Sequence, residues 1–431
     1  MKAQLRLAGG RRKLCRHGFS SDRPRGCLPP EYCATCATRL HAENAVTYAV
    51  RIEKMHPLAM AMLHYLVGAS AMSAPAGLYS ETARANLKYA IVTEPASTIA
   101  AKDESPRWQF RASGLVFSLI AKTPLYKKIK ANAFAKMRVA TESTGVNWDE
   151  EVAALEDVCT DERLDAIVAE AGPAFVTPAY YRRPFHAYDD GNLCWEHACH
   201  QPLVSRAVGA RNLPGMAPAE GDENFRGAFD RELLSMLPDD APARRDGASL
   251  LDLGCGTGIS TSRLLAALPK AASCVGVDLS PWMLVIGREL IERGSAAAGK
   301  EADPRLALRL GDAACTGLPD ACVDLVSLCL IMHELPSEAS DAILAEAARV
   351  LKPNGHLAIF EMDPSSPGFG RVRSNPWVFA ALRSTEPYLD DYFWKVAPSL
   401  TDRLAANGMQ VLGKRLVETN KHQVVVAAKE A

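Results

Sequence analysis

The stretch SLLDLGCGTGIS, residues 249–260, decides the fold of this chain. Its first part is apolar or small apart from Asp252, and its second part alternates glycine with Cys255 and Thr257. An apolar run of this length, stopped by spaced glycines and followed by a helical pattern, predicts a strand, a tight turn and a helix. Glycine adopts positive φ at low cost and has no Cβ to obstruct a ligand, and a helix N-terminus presents free N–H groups. We therefore expect a ligand to bind over this turn.

Further strands follow in the order of an alternating α/β chain. The second ends at Asp278, twenty residues after Gly258, which is the interval at which an acidic residue meets a ribose hydroxyl pair. A third strand over 306–310 leads into Asp312, a fourth spans 323–330, and a helix precedes a fifth over 356–361. The glycine spacing D-x-G-x-G-x-G differs from the G-x-G-x-x-G of dinucleotide-binding proteins. The pattern predicts an α/β nucleoside-binding domain of another kind.

These segments resemble the class I S-adenosylmethionine-dependent methyltransferases. LLDLGCGTG resembles their first motif, VGVDLS their second, GDAACTGLPDACVDLVSLCLIMHEL their third region, and ARVLKPNGHLAIFE their fifth strand with its lead-in. The resemblance covers residues 249–363. It implies an α/β fold of the Rossmann-like class I type, with a seven-stranded, mostly parallel sheet, helices on both faces and a helical accessory region before it. It also implies a methyltransferase (EC 2.1.1.-) whose cofactor is S-adenosyl-L-methionine.

The resemblance further implies which residues bind the cofactor. The glycines would let the backbone approach its amino-acid half, and Asp252 would orient their turn. Asp278 would accept both ribose hydroxyls, Asp312 would accept the amino group of adenine, and Ala313 would lie against the ring. The full set of implied cofactor-binding residues is Asp252, Gly254, Gly256, Gly258, Asp278, Leu279, Asp312, Ala313 and Tyr188.

The polar and aromatic segment 178–208, just before the first strand, suits a lid over the cofactor. Its phrase FHAYDDGNL, together with STEPYLD at 384–390, resembles the uncharacterised plastid methyltransferases of plants and algae, which are related to quinone-biosynthesis methyltransferases. By that resemblance Tyr188 and Asn192 touch the cofactor and Trp195 walls the pocket. The alternative is that the rings of Tyr188 and Trp195 pack a helix onto the sheet.

The pair His333-Glu334 follows the fourth strand, beside the expected position of the transferable methyl group. It does not form the zinc-protease motif H-E-x-x-H, because Ser337 stands where the second histidine is required. The phrase MHEL also lacks the Asn/Asp-Pro-Pro-Tyr/Phe signature of enzymes that methylate amides and bases, which favours a small-molecule acceptor. If the acceptor is a phenol or enol, a base must remove its proton. His333 is the catalytic candidate; the alternative is that it only packs the strand end.

The segment 375–393 follows the fifth strand and is expected to hang over the carboxyl ends of the strands, where open α/β sheets bind ligands. We predict that its polar side chains contact the acceptor; the alternative is that they are solvated helix charges. These candidates are Glu386, Tyr388, Asp390 and Asp391.

The net charge of −1 over 431 residues gives no overall field for nucleic acid, so nucleic acid is not an expected partner. Residues 1–30 nevertheless hold eight Lys or Arg against one acid, Asp22. This composition predicts an organellar transit peptide over 1–45, chloroplast or alternatively mitochondrial, against a disordered basic arm. The remaining chain is divided into a helical accessory region at 46–178, lid or linker helices at 179–247, and the methyltransferase domain at 248–431.

The twelve cysteines predict neither a metal site nor a disulfide framework. Cys33 and Cys36 form a C-x-x-C pair, but no second pair stands at a compatible spacing. Single cysteines inside apolar patterns indicate a reducing compartment. Residues 55–80 carry no Asp, Glu, Lys or Arg, yet His and Pro interrupt them, which disfavours a membrane span. A peripheral membrane contact around 114–130 stays open, and the sequence does not indicate the oligomeric state.

Together these features predict methyl transfer from S-adenosylmethionine to a small-molecule acceptor that is lipophilic or quinone-like. One alternative is a catalytically inactive cofactor-binding scaffold or regulatory subunit, although every cofactor position expected from the family is filled. A protein or RNA methyltransferase is less favoured, because no recognition domain is visible in the sequence.

Overall fold

The structure, a computed structural model, describes residues 123–186, 188–213 and 215–430, all of which belong to the unit Ser97–Ala431. The predicted transit peptide, the Cys33–Cys36 pair, the uncharged stretch 55–80 and the apolar stretch 114–121 lie outside the described residues. Within the described part of the chain, no helix is long and apolar enough to cross a membrane.

A seven-stranded sheet in the order β3-β2-β1-β4-β5-β7-β6 forms the centre of the fold. Its first five strands pair in parallel, and β7 pairs antiparallel with β5 on one side and β6 on the other. The strands are β1 Ser249–Leu253, β2 Ser273–Asp278, β3 Leu306–Leu310, β4 Val323–Cys329, β5 Leu351–Met362, β6 Met409–Leu416 and β7 His422–Lys429. The predicted mostly parallel class I methyltransferase sheet is confirmed.

Helices cover both faces of the sheet, as the alternation of side chains along β1 requires. Leu250 packs with Phe229 and Leu264 on one face, whereas Leu251 packs with Ile343 and Leu344 on the other. The helices are α1 Pro124–Glu142, α2 Trp148–Glu156, α3 Asp161–Ala171, α4 Trp195–Asn212, α5 Pro218–Met236, α6 Ile259–Ala267, α7 Pro281–Ala297, α8 Ser337–Val350, α9 Pro367–Ser374, α10 Pro376–Arg383 and α11 Leu400–Ala406.

Within the predicted helical accessory region, Trp148–Glu156 and Asp161–Ala171 form two separate helices, α2 and α3. The break falls at Thr160, whose hydroxyl accepts the backbone N–H of Arg163 and so caps α3. Buried Leu155 and Ile167 from these helices share a core with Leu284 of α7. The described part of the accessory region is therefore helical and packs directly against the sheet domain.

The strand order reverses between β1 and β4, where β2 and β3 lie to one side and β5 to the other. In an open α/β sheet the crevice for a ligand lies outside the carboxyl ends of the strands at such a point. The glycine turn after β1, the acid at the end of β2 and the His333-Glu334 pair after β4 therefore meet at one edge.

Candidate active site

The turn after β1 is built from three glycines that all have positive φ: 72° at Gly254, 52° at Gly256 and 74° at Gly258. The N–H of Gly254 donates to the carbonyl oxygen of Val277 at 2.8 Å, which holds the turn against β2. Asp252 is fully buried and accepts the hydroxyls of Ser260 and Thr261 at 2.7 and 2.8 Å, so its carboxylate joins the strand end to the first turn of α6.

Asp278, at the end of β2, organises the same turn from the other side. Its Oδ2 accepts the N–H of Gly256 and its Oδ1 accepts the N–H of Ser280, both at 2.8 Å. The hydroxyl of Tyr181 lies 3.4 Å from Oδ1. Burial raises the pKa of Asp278, and the two backbone N–H groups and Tyr181 act in the opposite direction. A buried carboxylate of this kind binds hydroxyl donors strongly.

A cavity of about 240 Å³ lies over this edge of the sheet. Six of the residues singled out from the sequence as cofactor contacts line it: Asn192, Gly254, Gly256, Asp278, Leu279 and Ala313. Asp252, Gly258 and Asp312 do not line it. Gly258 instead approaches Leu308 so closely that a Cβ would lie 2.8 Å from its side chain, and Asp312 accepts the N–H of Ala314.

Two aromatic residues of the lid segment lie elsewhere than the sequence predicted. Tyr188 does not line the cavity; its hydroxyl is 2.9 Å from Nδ1 of His200 and its ring stacks on His197. Trp195 packs edge-on against Trp282 and is also absent from the cavity wall. Both rings therefore pack helix α4 and its N-terminal loop, as the alternative interpretation held, and Tyr180 and Tyr181 are tyrosines of the cavity wall.

Sequence reasoning missed several cavity residues that come from helices α4 and α5. Gln201 accepts the hydroxyl of Thr257 at 2.6 Å beside the glycine turn. Arg226 donates to Asp222 and to the hydroxyl of Ser205, each at 2.8 Å, and the residues Gln201, Ser205 and Arg226 all line the cavity. The sequence gives no signal for them, because the face that a helix turns to a distant sheet depends on tertiary packing.

Part of the cavity wall is apolar and aromatic. Phe225 and Phe229 of α5 and Phe360 of β5 line it, and the rings of Phe229 and Phe360 are stacked with centroids 5.6 Å apart. Cys329 and Leu330, at the end of β4, complete this part of the wall. Flat apolar walls of this type fit a planar or aliphatic ligand group.

A group of buried and half-buried titratable residues borders the cavity, and we call it the His–Glu cluster: His186, His333, Glu334, Glu361 and Glu386. Nε2 of His186 lies 3.0 Å from Glu386 and 3.5 Å from Glu334. Nδ1 of His333 lies 2.8 Å from Glu361. His186 and Glu334 line the cavity.

The carboxylates raise the pKa of both imidazoles of the cluster. Burial lowers the pKa of His333, but Glu361 and the neighbouring Glu386 and Glu334 outweigh it and raise the value to about 9. Burial likewise lowers the pKa of His186, and Glu386 and Glu334 raise it to about 9. The predicted catalytic base His333 is thus paired with Glu361, and it does not line the cavity.

Among the predicted acceptor contacts of the segment after β5, Glu386 reaches the His–Glu cluster. Tyr388 donates its hydroxyl to the carbonyl of Tyr180, which ties the two segments above the cavity together. Asp390 pairs with Arg383, and Asp391 accepts the N–H of Ser337 at the start of α8. These three residues thus have partners within the protein, and their contact with the acceptor stays a prediction.

The sequence predicted no metal ligands, yet the structure gathers three residues that could hold an ion. Ligand atoms of His186, His333 and Glu334 lie within 4.8 Å of one another. His186 lies far from the other two in sequence, so no spacing rule could have found the group.

Comparison with known proteins bears out the resemblance at the level of the domain. Residues 250–355 match the family described as "Methyltransferase domain". This part of the chain is thus similar to a methyltransferase domain, and the sheet has the class I methyltransferase fold. A trans-aconitate 2-methyltransferase of Methylobacterium nodulans is 36% identical over 165 residues, covering 37% of this chain and 55% of the relative. The ubiquinone/menaquinone biosynthesis C-methyltransferase UbiE of Acidiphilium cryptum is 32% identical over 154 residues, covering 36% and 56%.

The chain spans about half the length of the curated relatives it matches. Among solved structures, magnesium protoporphyrin IX methyltransferase of Synechocystis PCC 6803 with bound SAH is 15% identical with a TM-score of 0.35, covering 53% of this chain and 87% of that one. That likeness is too distant to inform function.

The cofactor of this methyltransferase domain is S-adenosylmethionine, and the residues of the cavity fit it. The wall exposes backbone at Gly254 and Gly256, which have no side chain of their own to keep a ligand from the backbone. Beside them a buried carboxylate, Asp278, offers the acceptor that a ribose diol requires. Leu279 and Ala313 supply apolar contacts in the same wall.

Proposed function

We propose that this chain transfers the methyl group of S-adenosylmethionine to a small-molecule acceptor. One observation carries the proposal: the glycine turn and Asp278 line the same cavity as three phenylalanines and two members of the His–Glu cluster, namely Phe225, Phe229, Phe360, His186 and Glu334. The glycine turn and Asp278 suit the cofactor. We assign the phenylalanines and the two cluster residues to the acceptor and call this part of the cavity the acceptor end. The sulfonium supplies an electrophilic methyl group, so the chain must chiefly align the nucleophile with it.

The residues of the chain then have distinct tasks. Gly254 and Gly256 give the amino-acid half of the cofactor access to the backbone, and Asp278 receives the ribose hydroxyls. Asp252 is a positioning residue, because it holds α6 against β1 and is itself fully buried. Glu334 and His186 face the acceptor end, where they can bind or exchange a proton with an acceptor hydroxyl.

We propose an acceptor that is lipophilic, carries a ring and bears at least one hydroxyl or enol oxygen. The stacked Phe229 and Phe360 support the ring, and the polar groups of the His–Glu cluster support the oxygen. A quinone-like phenol combines both features. Matched relatives named as methyltransferases of trans-aconitate and of quinone precursors also act on small molecules, according to their names.

The test is turnover of labelled S-adenosylmethionine with the purified chain and an organellar extract. Label in an organic-soluble small molecule supports the proposal. Label retained on protein or RNA would instead favour a macromolecular acceptor. Cofactor binding without any labelled product would favour a non-catalytic scaffold. A Glu334→Gln variant should abolish most of the label if the acceptor lies where we place it.

We also propose that the chain acts in a chloroplast, with a mitochondrion as the alternative. The support is the basic, acid-poor composition of residues 1–30. N-terminal sequencing of the protein from its native cells should find residues 1 to about 45 removed. An intact Met1 would contradict the proposal.

A further inference from the structure

The His–Glu cluster contains more carboxyl groups than its two histidines need as ion-pair partners. Three carboxyl groups, those of Glu334, Glu361 and Glu386, face two imidazoles, so the cluster has one more acidic group than basic groups. Glu386 is 7% exposed, and its second oxygen, Oε2, has no hydrogen-bond partner among the described residues. A buried carboxylate oxygen without a donor is costly, which points to a cation in this position.

We infer that His186, His333 and Glu334 bind a divalent transition-metal ion at the acceptor end of the cavity. Two imidazole nitrogens and a carboxylate oxygen are a donor set suited to Zn²⁺, Mn²⁺, Fe²⁺ or Co²⁺. Ligand atoms bound at about 2.1 Å in a tetrahedral site lie about 3.4 Å apart. Nε2 of His186 and Oε1 of Glu334 are already 3.5 Å apart, and the whole set lies within 4.8 Å, so small side-chain rotations complete the site.

The residues around these three ligands form the supporting shell that metal-bound histidines usually have. Nδ1 of His333 is held by both oxygens of Glu361, at 2.8 and 3.0 Å, which leaves its other ring nitrogen for the ion. Asn192 donates to Oε2 of Glu334 at 3.3 Å, which orients that carboxylate. Glu386, beside His186, provides a further carboxylate as a fourth ligand or a charge partner.

The position of the site gives the ion a role. His186 and Glu334 line the cavity, so open coordination positions would face the acceptor and bind its oxygen. Only this role rests on the proposed methyl transfer. Binding of the ion itself follows from the cluster and can be measured without cofactor or acceptor.

The test is a titration of the full chain, stripped with a chelator, with Co²⁺ followed by visible absorption. We expect one ion with the weak d–d spectrum of nitrogen and oxygen ligands, without intense thiolate charge-transfer bands. His186→Ala and Glu334→Gln should each weaken this binding about tenfold or more. The matched control is His200→Ala, whose imidazole pairs with Tyr188 outside the cluster and whose loss should leave binding unchanged. Cys33→Ser combined with Cys36→Ser should also leave it unchanged.

Absence of that spectrum in the wild type would overturn the inference, as would Co²⁺ affinity unchanged in both cluster variants. Circular dichroism shows whether each variant is folded. Should His186→Ala fail to fold, the near-isosteric Glu334→Gln decides the matter. Binding of S-adenosylhomocysteine by calorimetry is measured in parallel, so failure of the metal site and failure of the proposed methyl transfer are separate results.

Discussion

At the scale of single residues, the site depends on positions whose role is set by one contact or one backbone angle. The glycine turn and Asp278 could be identified from the sequence, because the local backbone conformation of the turn requires glycines at this spacing. Tyr188 was assigned to the cofactor by resemblance, but the structure places it against His197 and His200, because an aromatic side chain can either pack or bind and only tertiary structure separates the two. His186 was missed because its partners Glu334 and Glu386 are remote in sequence.

Gly256 should be required for cofactor binding more than for folding. Its φ of 52° makes alanine strained, by about 1–2 kcal/mol, and a Cβ there would stand in the cavity wall. Gly256→Ala should therefore lose this stability and bind S-adenosylhomocysteine at least tenfold more weakly, about 1.4 kcal/mol. Gly317→Ala is the matched control, with φ of 70° and open space around its Cβ. Equal affinities in calorimetry would remove Gly256 from the cofactor site.

His422 should make the fold sensitive to acid. Burial, followed by the nearby charges of His333 and Lys421, lowers its pKa to about 3. Below the ordinary pKa of about 6.5, the imidazole of His422 is protonated in the unfolded chain but stays neutral in the folded chain. The free energy of unfolding therefore falls as pH falls from about 6.5 towards 3. Between pH 7 and 5 this effect reaches about 2 kcal/mol. In urea unfolding, the free energy of unfolding of His422→Gln should fall by correspondingly less than that of the wild type between pH 7 and 5. Equal losses in the two proteins would contradict the assignment.

At the scale of elements, one segment lines the cavity and a second holds it in place, and we call the two the roof. The first segment, residues 180–186 and 188–192, contributes five residues to the cavity wall. The second segment, residues 385–388, is tied to it by the bond from the N–H of His186 to the carbonyl of Thr385 and by the Tyr388–Tyr180 bond. Ser280, which caps α7, holds the first segment through the carbonyl of Asn192 at 2.6 Å. The predicted lid thus does reach the carboxyl edge. Its dependence on the second segment could not be predicted, because that contact joins residues about two hundred positions apart.

Amide exchange should show the roof responding to cofactor. Addition of S-adenosylhomocysteine should slow exchange in residues 185–192 and 385–388, because closing over a ligand protects their amides. The core strand 250–253 should hardly change, since it is already buried and fully paired. Slowing of the core strand alone, with no change in the roof, would show that these segments do not cover the cofactor.

Substitutions at Tyr188 and Asn192 distinguish a residue of the roof that packs from one that binds the cofactor. Tyr188→Phe deletes the hydroxyl that contacts His200, and we expect a loss of about 1 kcal/mol in the free energy of unfolding with normal cofactor affinity. Asn192→Ala removes a cavity residue and should weaken cofactor binding instead. Denaturant unfolding and calorimetry on both variants give the comparison. Reversed results would restore Tyr188 as a cofactor contact.

At the scale of the whole molecule, the fold was predictable because it repeats a local pattern. Each strand of β1 to β5 is a short apolar run ending in a turn, and the parallel order follows from the intervening helices. The terminal hairpin, β6 and β7, completes one edge of the sheet. The acceptor end of the cavity could not be predicted from the sequence. It is formed by α4, α5, β5 and the roof, and the mutual positions of these elements depend on packing over the whole domain.

The central claim is that the carboxyl edge of this sheet binds S-adenosylmethionine through Asp278. Calorimetric titration of the full chain with S-adenosylhomocysteine tests it most directly. We expect saturable one-to-one binding that Asp278→Asn weakens by about 1.5–3 kcal/mol, because two charge-assisted hydrogen bonds to ribose are lost. Asp324→Asn is the control: Asp324 is also buried, but at the opposite end of the sheet beside Ser249 and Lys352, so affinity should not change. No binding by the wild-type chain, or equal affinity in Asp278→Asn, would contradict the account.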